Sequence, residues 1–326
     1  MQVITEFDER TALVGHGSVI TIGAYDGLHV GHRTIIERVV REAKERSRAS
    51  ILVTFDRHPA SLVRPEQAPR LLTDHDTRIE LLSRTGLDAV AMIRFDEDQA
   101  AESPEDFVNR VLVGALNVRR IVVGEDFCFG RGRRGNVDLL RRMGAELGFD
   151  VEGVSLVSGH DDVTASSTHI RKLVTEGDVE TANRYLGHTF ELSGIVVHGD
   201  ARGRTIGFPT ANVEIASGFC VPGDGVYAGW YVRPMDDGST VSYPAAINIG
   251  RRPTFYSEAG ASLVEVHVID FARHEPDPRR QDLYGERARI RFVSRLRGER
   301  RFDGVDALRA QLEHDIDSAR DVLGLG

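Results

Sequence analysis

Within Gly23-Ala24-Tyr25-Asp26-Gly27-Leu28-His29-Val30-Gly31-His32, two histidines stand three apart among three glycines and an aspartate. An apolar run at residues 19–22 precedes them, and apolar residues at helical spacing follow (Ile35, Ile36, Val39, Val40, Ala43). Glycine-punctuated chain between a strand and a helix start lets backbone N–H groups converge on phosphate oxygens. Gly23 and Gly27 permit a positive φ or close backbone approach, and Asp26 can hold the turn by accepting local N–H bonds. With Gly31 between them, His29 and His32 can grip neighbouring phosphate oxygens. Imidazole donors there stabilise charge building on an α-phosphate and on departing pyrophosphate, with no covalent nucleophile required. The pattern predicts chemistry on a nucleoside triphosphate. The plainer alternatives are an ordinary turn or half of a metal site, although no third and fourth ligand stands at suitable spacing nearby.

Three other segments carry candidate chemistry. In Ser166-Ser167-Thr168-His169-Ile170-Arg171, hydroxyls at a helix start (Ser167, Thr168) and Arg171 can hold the same anion, or the serines can simply cap the helix. Gly199-Asp200-Ala201-Arg202-Gly203-Arg204-Thr205-Ile206-Gly207 can form a flexible phosphate loop through Gly203, Arg204 and Gly207. It is one residue short of a P-loop and has Arg204 where lysine belongs. Thr210 and Asn212, two apart, face one way in a strand and can share a Mg²⁺ ion; an ordinary barrel loop and polar strand is the alternative. Gly130-Arg131-Gly132-Arg133-Arg134-Gly135 satisfies G-x-G-x-x-G, but residues 125–129 separate it from its strand and it lies in a late βα unit. A flexible loop over a site, with Asp126 and Phe127 near the ligand, is the better reading.

These residues need a scaffold. The 326-residue chain has length for about two domains. Apolar runs at residues 50–55, 88–95, 120–123 and 151–157 alternate with helical patterns. Ser103-Pro104-Glu105-Asp106 reads as a capping-box start leading into 107–116, and residues 136–147 read as a helix closed by Gly148. This alternation predicts an α/β fold, a doubly wound parallel sheet over residues 1–186, with ligands at the carboxyl ends of its strands. Segments 23–32, 54–59 and 124–135 all fall there. From 187 to 326 short β runs (194–198, 225–232, 243–249, 261–271, 288–293) with Gly, Pro and Asp between them predict an antiparallel β-barrel. A final helix with its apolar stripe at Val305, Leu308, Leu312, Ile316 and Ala319 packs on that barrel, and residues 168–186 form a helical bridge.

Composition limits the function further. A net charge of −9 disfavours nucleic acid as partner, while arginine clusters at 131–134, 251–252 and 287–301 suit a small anionic ligand or a solvated surface. No run approaches the ~20 apolar residues that span a bilayer, no signal-peptide pattern opens the chain, and Cys128 and Cys220 stand far apart. The expectation is a cytoplasmic enzyme with no membrane partner; a homo-oligomer is compatible with the chain.

The histidine segment resembles the HxGH signature of the nucleotidyltransferase superfamily, and the SSTHIR segment is similar to its second phosphate signature. Gly207-Phe208-Pro209-Thr210-Ala211-Asn212 resembles the signature of riboflavin kinases. Further matches follow in order: Val221-Pro222 with Gly225-Val226-Tyr227-Ala228, Asn248-Ile249-Gly250 with Pro253-Thr254-Phe255, Glu265-Val266-His267 with Asp270-Phe271, and Asp282-Leu283-Tyr284-Gly285. Together they resemble the prokaryotic bifunctional riboflavin kinase/FAD synthetase family across essentially the whole chain. The resemblance implies a nucleotidyltransferase domain and a kinase barrel, acting with ATP and Mg²⁺ on riboflavin, FMN and FAD. It makes Glu265 the general base for the ribityl 5′-hydroxyl, puts Thr210 and Asn212 on Mg²⁺ and phosphate, and lays 203–207 over the ATP tail. Phe55, His58 and Asp126 become candidates for the first domain's flavin site. Departures from the family pattern are Tyr25 for a usual phenylalanine, Cys128 for a basic residue, and Asn136 for a frequent aspartate. Residues 272–281 are longer than the family's connection, and Pro276 and Pro278 suggest an extended surface loop that alters flavin access. The competing readings are a one-activity enzyme with a decayed domain, and a non-enzymatic flavin sensor or RNA regulator on a borrowed fold.

Overall fold

The structure is a computed structural model describing residues 1–7, 12–155, 165–199, 202–235, 237–250 and 262–326, apart from the side chains of Arg202 and Arg279. The expected Pro253-Thr254-Phe255 motif, the 251–252 arginine pair and Asp200 lie outside those residues.

Six strands form the first sheet: β1 (Gln2–Ile4), β2 (Ser18–Ile22), β3 (Ala49–Phe55), β4 (Ala89–Ile93), β5 (Val118–Gly124) and, after a small hairpin of β6 (Cys128–Phe129) and β7 (Gly135–Asn136), β8 (Asp150–Val154). All pair in parallel, in the order β1-β4-β3-β2-β5-β8. Alternation along each strand sends side chains to two faces. Ile20, Ile51, Val53, Ala91 and Ile121 join one buried cluster with the segment 107–116 and the helix Val137–Leu147. Val19, Leu52, Val90 and Val122 join another with Ile36 and Val39 of the helix Val30–Glu45. Strands buried on both faces are what a doubly wound sheet requires. The order of strands reverses at β2, which has β3 on one side and β5 on the other, so the open crevice lies at the carboxyl end of β2.

The caps read from sequence are in place. The Ser103 hydroxyl accepts the Asp106 N–H (3.0 Å) with Pro104 in the first helical position, and Gly148 closes its helix at φ +82°. β1 carries too few residues to announce itself in the sequence. The 124–135 segment differs from the expected flexible loop: β6 and β7 pair through Cys128↔Asn136 and Phe129↔Gly135, and Phe129 is buried. Gly135 is needed there because a Cβ would lie 2.7 Å from Phe129.

The barrel comprises β9 (Phe190–Val197), β10 (Ala211–Ile215), β11 (Gly225–Pro234), β12 (Thr240–Ile249), β13 (Ser262–Val268) and β14 (Arg287–Arg297). It closes antiparallel in the order β10-β13-β12-β11-β14-β9, with β9 returning to β10. Ala211, Val213, Val264, Val266, Ala245 and Ile247 are buried, while Asn212, Glu265 and Asn248 alternate to the outer face. The final helix, Val305–Val322, packs outside the barrel through Ile316 and Ala319 against Ala228 and Ile269. Only the C-terminal part of the expected stripe is used, since Val305 is 56% exposed. Arg297 clasps the buried Asp315 with Nε and Nη2 at 2.8–3.1 Å, tying this helix to β14.

Residues 272–281 lie at the surface, as expected, but they are not extended. They turn through the helix Phe271–His274 and a 3-10 turn Pro278–Arg280, and they bury Glu275. Its carboxylate accepts the Tyr243 hydroxyl (3.4 Å) and pairs with Arg280 (3.5 Å), so partners for a buried charge hold the segment inward. Tyr243 stands five residues from Asn248 on β12, about 17 Å along the strand, so this cap sits far from the Glu265 row.

By contacts the chain forms two compact units: residues 1–69 with 75–166, and residues 70–74 with 167–326. The helices Ser167–Glu176 and Val179–Leu186 group with the barrel.

Candidate active sites

In the first unit the segment after β2 is held by buried side chains in unusual backbone. Gly27 has φ +82°, but Tyr25 (+50°) and Leu28 (+38°) also lie in the left-handed region, where a side chain is strained. Both side chains are buried, and the Tyr25 hydroxyl hydrogen-bonds Thr21. Burial holds the Tyr25 phenol far above its ordinary range, so it stays neutral. This accommodates the hydroxyl that phenylalanine would lack.

His29 is the N-cap of the helix Val30–Glu45, its Nδ1 accepting the His32 N–H at 3.3 Å. An accepting Nδ1 places the proton on Nε2, which makes a neutral donor. The His29 and His32 rings stack at 3.6 Å between centroids, and Tyr25 closes on His32 at 4.8 Å. Gly31 explains itself here. A Cβ would lie 3.3 Å from the His29 ring and 3.4 Å from the Ala165 carbonyl. The helix carries no acidic residue in its own first turn that would oppose its positive end.

Arg78 is the residue the sequence reading missed. It is 8% exposed, and it donates to the carbonyls of Phe55 (2.7 Å) and Ala24 (3.3 Å). Thr54 reaches the same Ala24 carbonyl at 3.3 Å. Burial lowers the guanidinium's pKa, opposed by Asp26 and Asp56. One buried cation thus ties the histidine loop to the end of β3. Among the other expected residues, Phe55 meets Phe95 edge-on at 5.2 Å, and His58 Nδ1 accepts the Ala60 N–H at 3.1 Å. Asp126 is exposed just beyond β5, with Oδ1 only 2.9 Å from where a Cβ on Gly124 would stand. These segments leave the same edge of three adjacent strands, β3-β2-β5. Ser167, Thr168 and Arg171 belong to the other unit, where Arg171 Nε donates to the Arg70 carbonyl at 2.6 Å.

On the barrel, Asn212, Glu265 and Asn248 stand opposite one another across β10, β13 and β12. Directly opposed residues share a face. Asn248 Nδ2 donates to Glu265 Oε2 at 3.1 Å, orienting the carboxylate. Thr210 precedes β10 and lies 3.6 Å from the Cβ position of Gly203; the Asn212 amide packs on Gly199 so closely that a Cβ there would meet it at 2.1 Å. The 202–207 segment is a helical turn rather than a flexible loop. Both Ile206 and Phe208 donate to the Gly203 carbonyl, and Gly207 takes φ +92°. Arg204 is exposed. His267, two residues beyond Glu265, donates from Nδ1 to the Pro209 carbonyl at 2.8 Å and fixes the chain beside Thr210. Burial lowers its pKa. A pocket of ≈ 790 Å³ opens beside this row, lined by Glu265, Asn248, Gly250, Pro222, Arg295 and Arg70 among others. Its wall is braced by Tyr227, whose hydroxyl donates to the Gly223 carbonyl and is pushed up to about 12 by burial. Asn248 and His267 lay within motifs already noted, but only the strand register reveals their bonds.

Two family models match the chain: FAD synthetase over residues 13–169 and riboflavin kinase over residues 186–323. A bifunctional riboflavin kinase/FMN adenylyltransferase from Escherichia coli K12 is 37% identical, covering 100% of this chain and 99% of its own. The chain belongs to the bifunctional riboflavin kinase/FMN adenylyltransferase family. Its relative in Bacillus subtilis is 35% identical over 93% of this chain and 91% of that one. A solved structure described as a macrolide-efflux protein from Streptococcus pneumoniae superposes with a TM-score of 0.81 at 28% identity, covering 98% of this chain and 99% of that one. Among the described residues, no helix is long and apolar enough to cross a membrane.

Proposed function

We propose a division of labour in which the barrel makes FMN and the parallel-sheet domain consumes it. The chain is a two-activity enzyme of flavin cofactor biosynthesis, phosphorylating riboflavin to FMN and adenylylating FMN to FAD. The functional domains we assign are 1–186 for adenylyl transfer and 187–326 for the kinase.

In the kinase step Glu265 takes the proton of the ribityl 5′-hydroxyl as its oxygen bonds the γ-phosphorus of ATP and ADP departs. The Asn248 bond supports this role, because it orients the carboxylate on the face it shares with Asn212. Gly203, Arg204 and Gly207 lie along the ATP tail. The Thr210 and Asn212 oxygens are neutral, and among the described residues no group of three or more His, Cys, Asp or Glu clusters as a metal site. That donor set fits Mg²⁺ carried mainly by nucleotide phosphates, with Thr210 and Asn212 completing its shell. Bound there, the ion would neutralise charge on the transferred phosphoryl group.

In the adenylyl step an FMN phosphate oxygen attacks the α-phosphorus of a second ATP, and pyrophosphate leaves. His29 donates from Nε2, and His32, stacked upon it, offers a second imidazole to the same phosphates. Gly23, Asp26 and Gly31 shape the loop. Phe55, His58 and Asp126 lie on the FMN side, and Ser167, Thr168 and Arg171 serve the triphosphate. The single observation that carries this reading is His29 Nδ1 capping the helix, since it fixes the donor tautomer where phosphate binds. Riboflavin, FMN, FAD and ATP are the small-molecule partners, in a cytoplasmic enzyme with no membrane partner; the negative charge supports the reading without nucleic acid.

The test is incubation of the pure protein with riboflavin, ATP and Mg²⁺, followed by separation of the flavins. FMN appearing first and FAD after it is the expected course. Absence of both would end the enzymatic reading.

A further inference from the structure

Residues 70–74 come from the sequence of the first half yet belong to the barrel unit. Leu71 N donates to the Gly218 carbonyl at 2.7 Å, and Cys220 N to the Leu71 carbonyl at 2.8 Å, so this segment forms a parallel bridge to Phe219 in the connection between β10 and β11. Arg171 secures the Arg70 carbonyl, and Asp74 pairs with Arg287 at 3.4 Å. Main-chain anchors on both sides therefore fix where the Arg70 side chain starts, and Arg70 is among the residues that line the pocket beside Glu265 and Asn248.

Among the described residues two arginines, Arg70 and Arg295, line this pocket, and they differ in what they hold. Arg295 donates to the main-chain carbonyls of Asp224 (2.6 Å) and Glu176 (3.4 Å), which makes it part of the wall. Arg70 is exposed, and among the described residues its guanidinium has no ion-pair partner. None of the described residues in 202–212 lines the pocket, so it opens on the side of Glu265 away from the phosphate turn. That side must receive the hydroxyl-bearing substrate.

We propose that Arg70 is a binding residue for the flavin acceptor of the kinase, contributed by the first half of the chain. This rests on the kinase reading above. A guanidinium presents parallel N–H donors in a plane, and the pyrimidine edge of an isoalloxazine presents adjacent carbonyl and imine acceptors. Arg70 then holds the ring while Glu265 meets the far end of the ribityl chain.

The experiment measures FMN formation by the full chain carrying Arg70→Ala, Arg70→Lys or Arg70→Glu, at saturating ATP and varied riboflavin. Losing a charge-assisted bond used equally in ground and transition states raises KM for riboflavin about tenfold and leaves kcat near wild type. Arg70→Lys falls between, Arg70→Glu exceeds Arg70→Ala, and adenylylation of added FMN is unchanged. An unchanged KM for riboflavin in both Arg70→Ala and Arg70→Glu overturns the proposal, as does a rise confined to the KM for ATP. If the wild-type chain itself forms no FMN, the kinase reading fails and this inference falls with it.

Discussion

Replacing Gly31 by alanine separates the geometry of the adenylyl site from the stability of the protein. The new Cβ meets the His29 ring at 3.3 Å and the Ala165 carbonyl at 3.4 Å, so the neighbours must give by a few tenths of an ångström. Alanine also suits the helix better than glycine, by roughly 0.5 kcal/mol, which offsets much of that crowding. The unfolding temperature should therefore stay close to wild type. Catalysis is less forgiving, since a misplacement of about 1 Å can cost on the order of 10²-fold. On a logarithmic scale a shift of a few tenths of an ångström in the His29 ring predicts roughly a fivefold to tenfold loss of kcat for adenylyl transfer. The assay supplies FMN and ATP and follows FAD, with riboflavin phosphorylation measured separately on the same preparation. An unchanged FAD rate refutes the claim that ring position governs the step. Parallel loss of both activities and of thermal stability refutes the claim that the change is local.

Three other outcomes are expected. Arg78→Met removes the cation bonded to the Ala24 and Phe55 carbonyls and leaves Asp26 and Asp56 without it; thermal unfolding should show a loss of about 3 kcal/mol, with FAD formation weakened where the variant is still folded. Asn248→Ala removes the amide that bonds Glu265 Oε2, and kcat for FMN formation should fall about tenfold with little change in the KM for ATP. His267 has a folded-state pKa lowered by burial below 6.5, so the folded state binds fewer protons than the unfolded one. Its contribution is complete above 6.5 and is lost as pH falls from there through the folded value, so unfolding temperature should drop in that window less steeply in His267→Gln than in wild type.

The strands and the signatures of both family domains were legible in the sequence because their signals are local. Residues 19–22 and 50–55 are apolar runs, Ser103-Pro104 is a cap, and Gly31 between two histidines is visible to inspection. What was not legible depends on which strands become neighbours. Nothing near Arg78 in sequence marks it, because its partners, Ala24 and Phe55, lie 54 and 23 residues away. Asn248 bonds Glu265 only through barrel register, and Arg70 joins Glu265 in lining one pocket beside the bridge between Leu71 and Phe219. The 272–281 segment was legible as surface chain, but the burial of Glu275 was not, because it depends on Tyr243, distant in sequence, as well as on Arg280. The missing half of the final helix's stripe reflects a barrel that reaches Ile316 and Ala319 but leaves Val305 exposed.

The central claim is that two separate active sites share this chain, joined by FMN as product of one and substrate of the other. The Glu265→Gln variant tests it most directly, assayed side by side with riboflavin and with FMN in the presence of ATP and Mg²⁺. FAD formed from FMN at the wild-type rate, with no FMN or FAD from riboflavin, is the predicted result. Loss of both activities together, or FMN still formed from riboflavin at the wild-type rate, would contradict it.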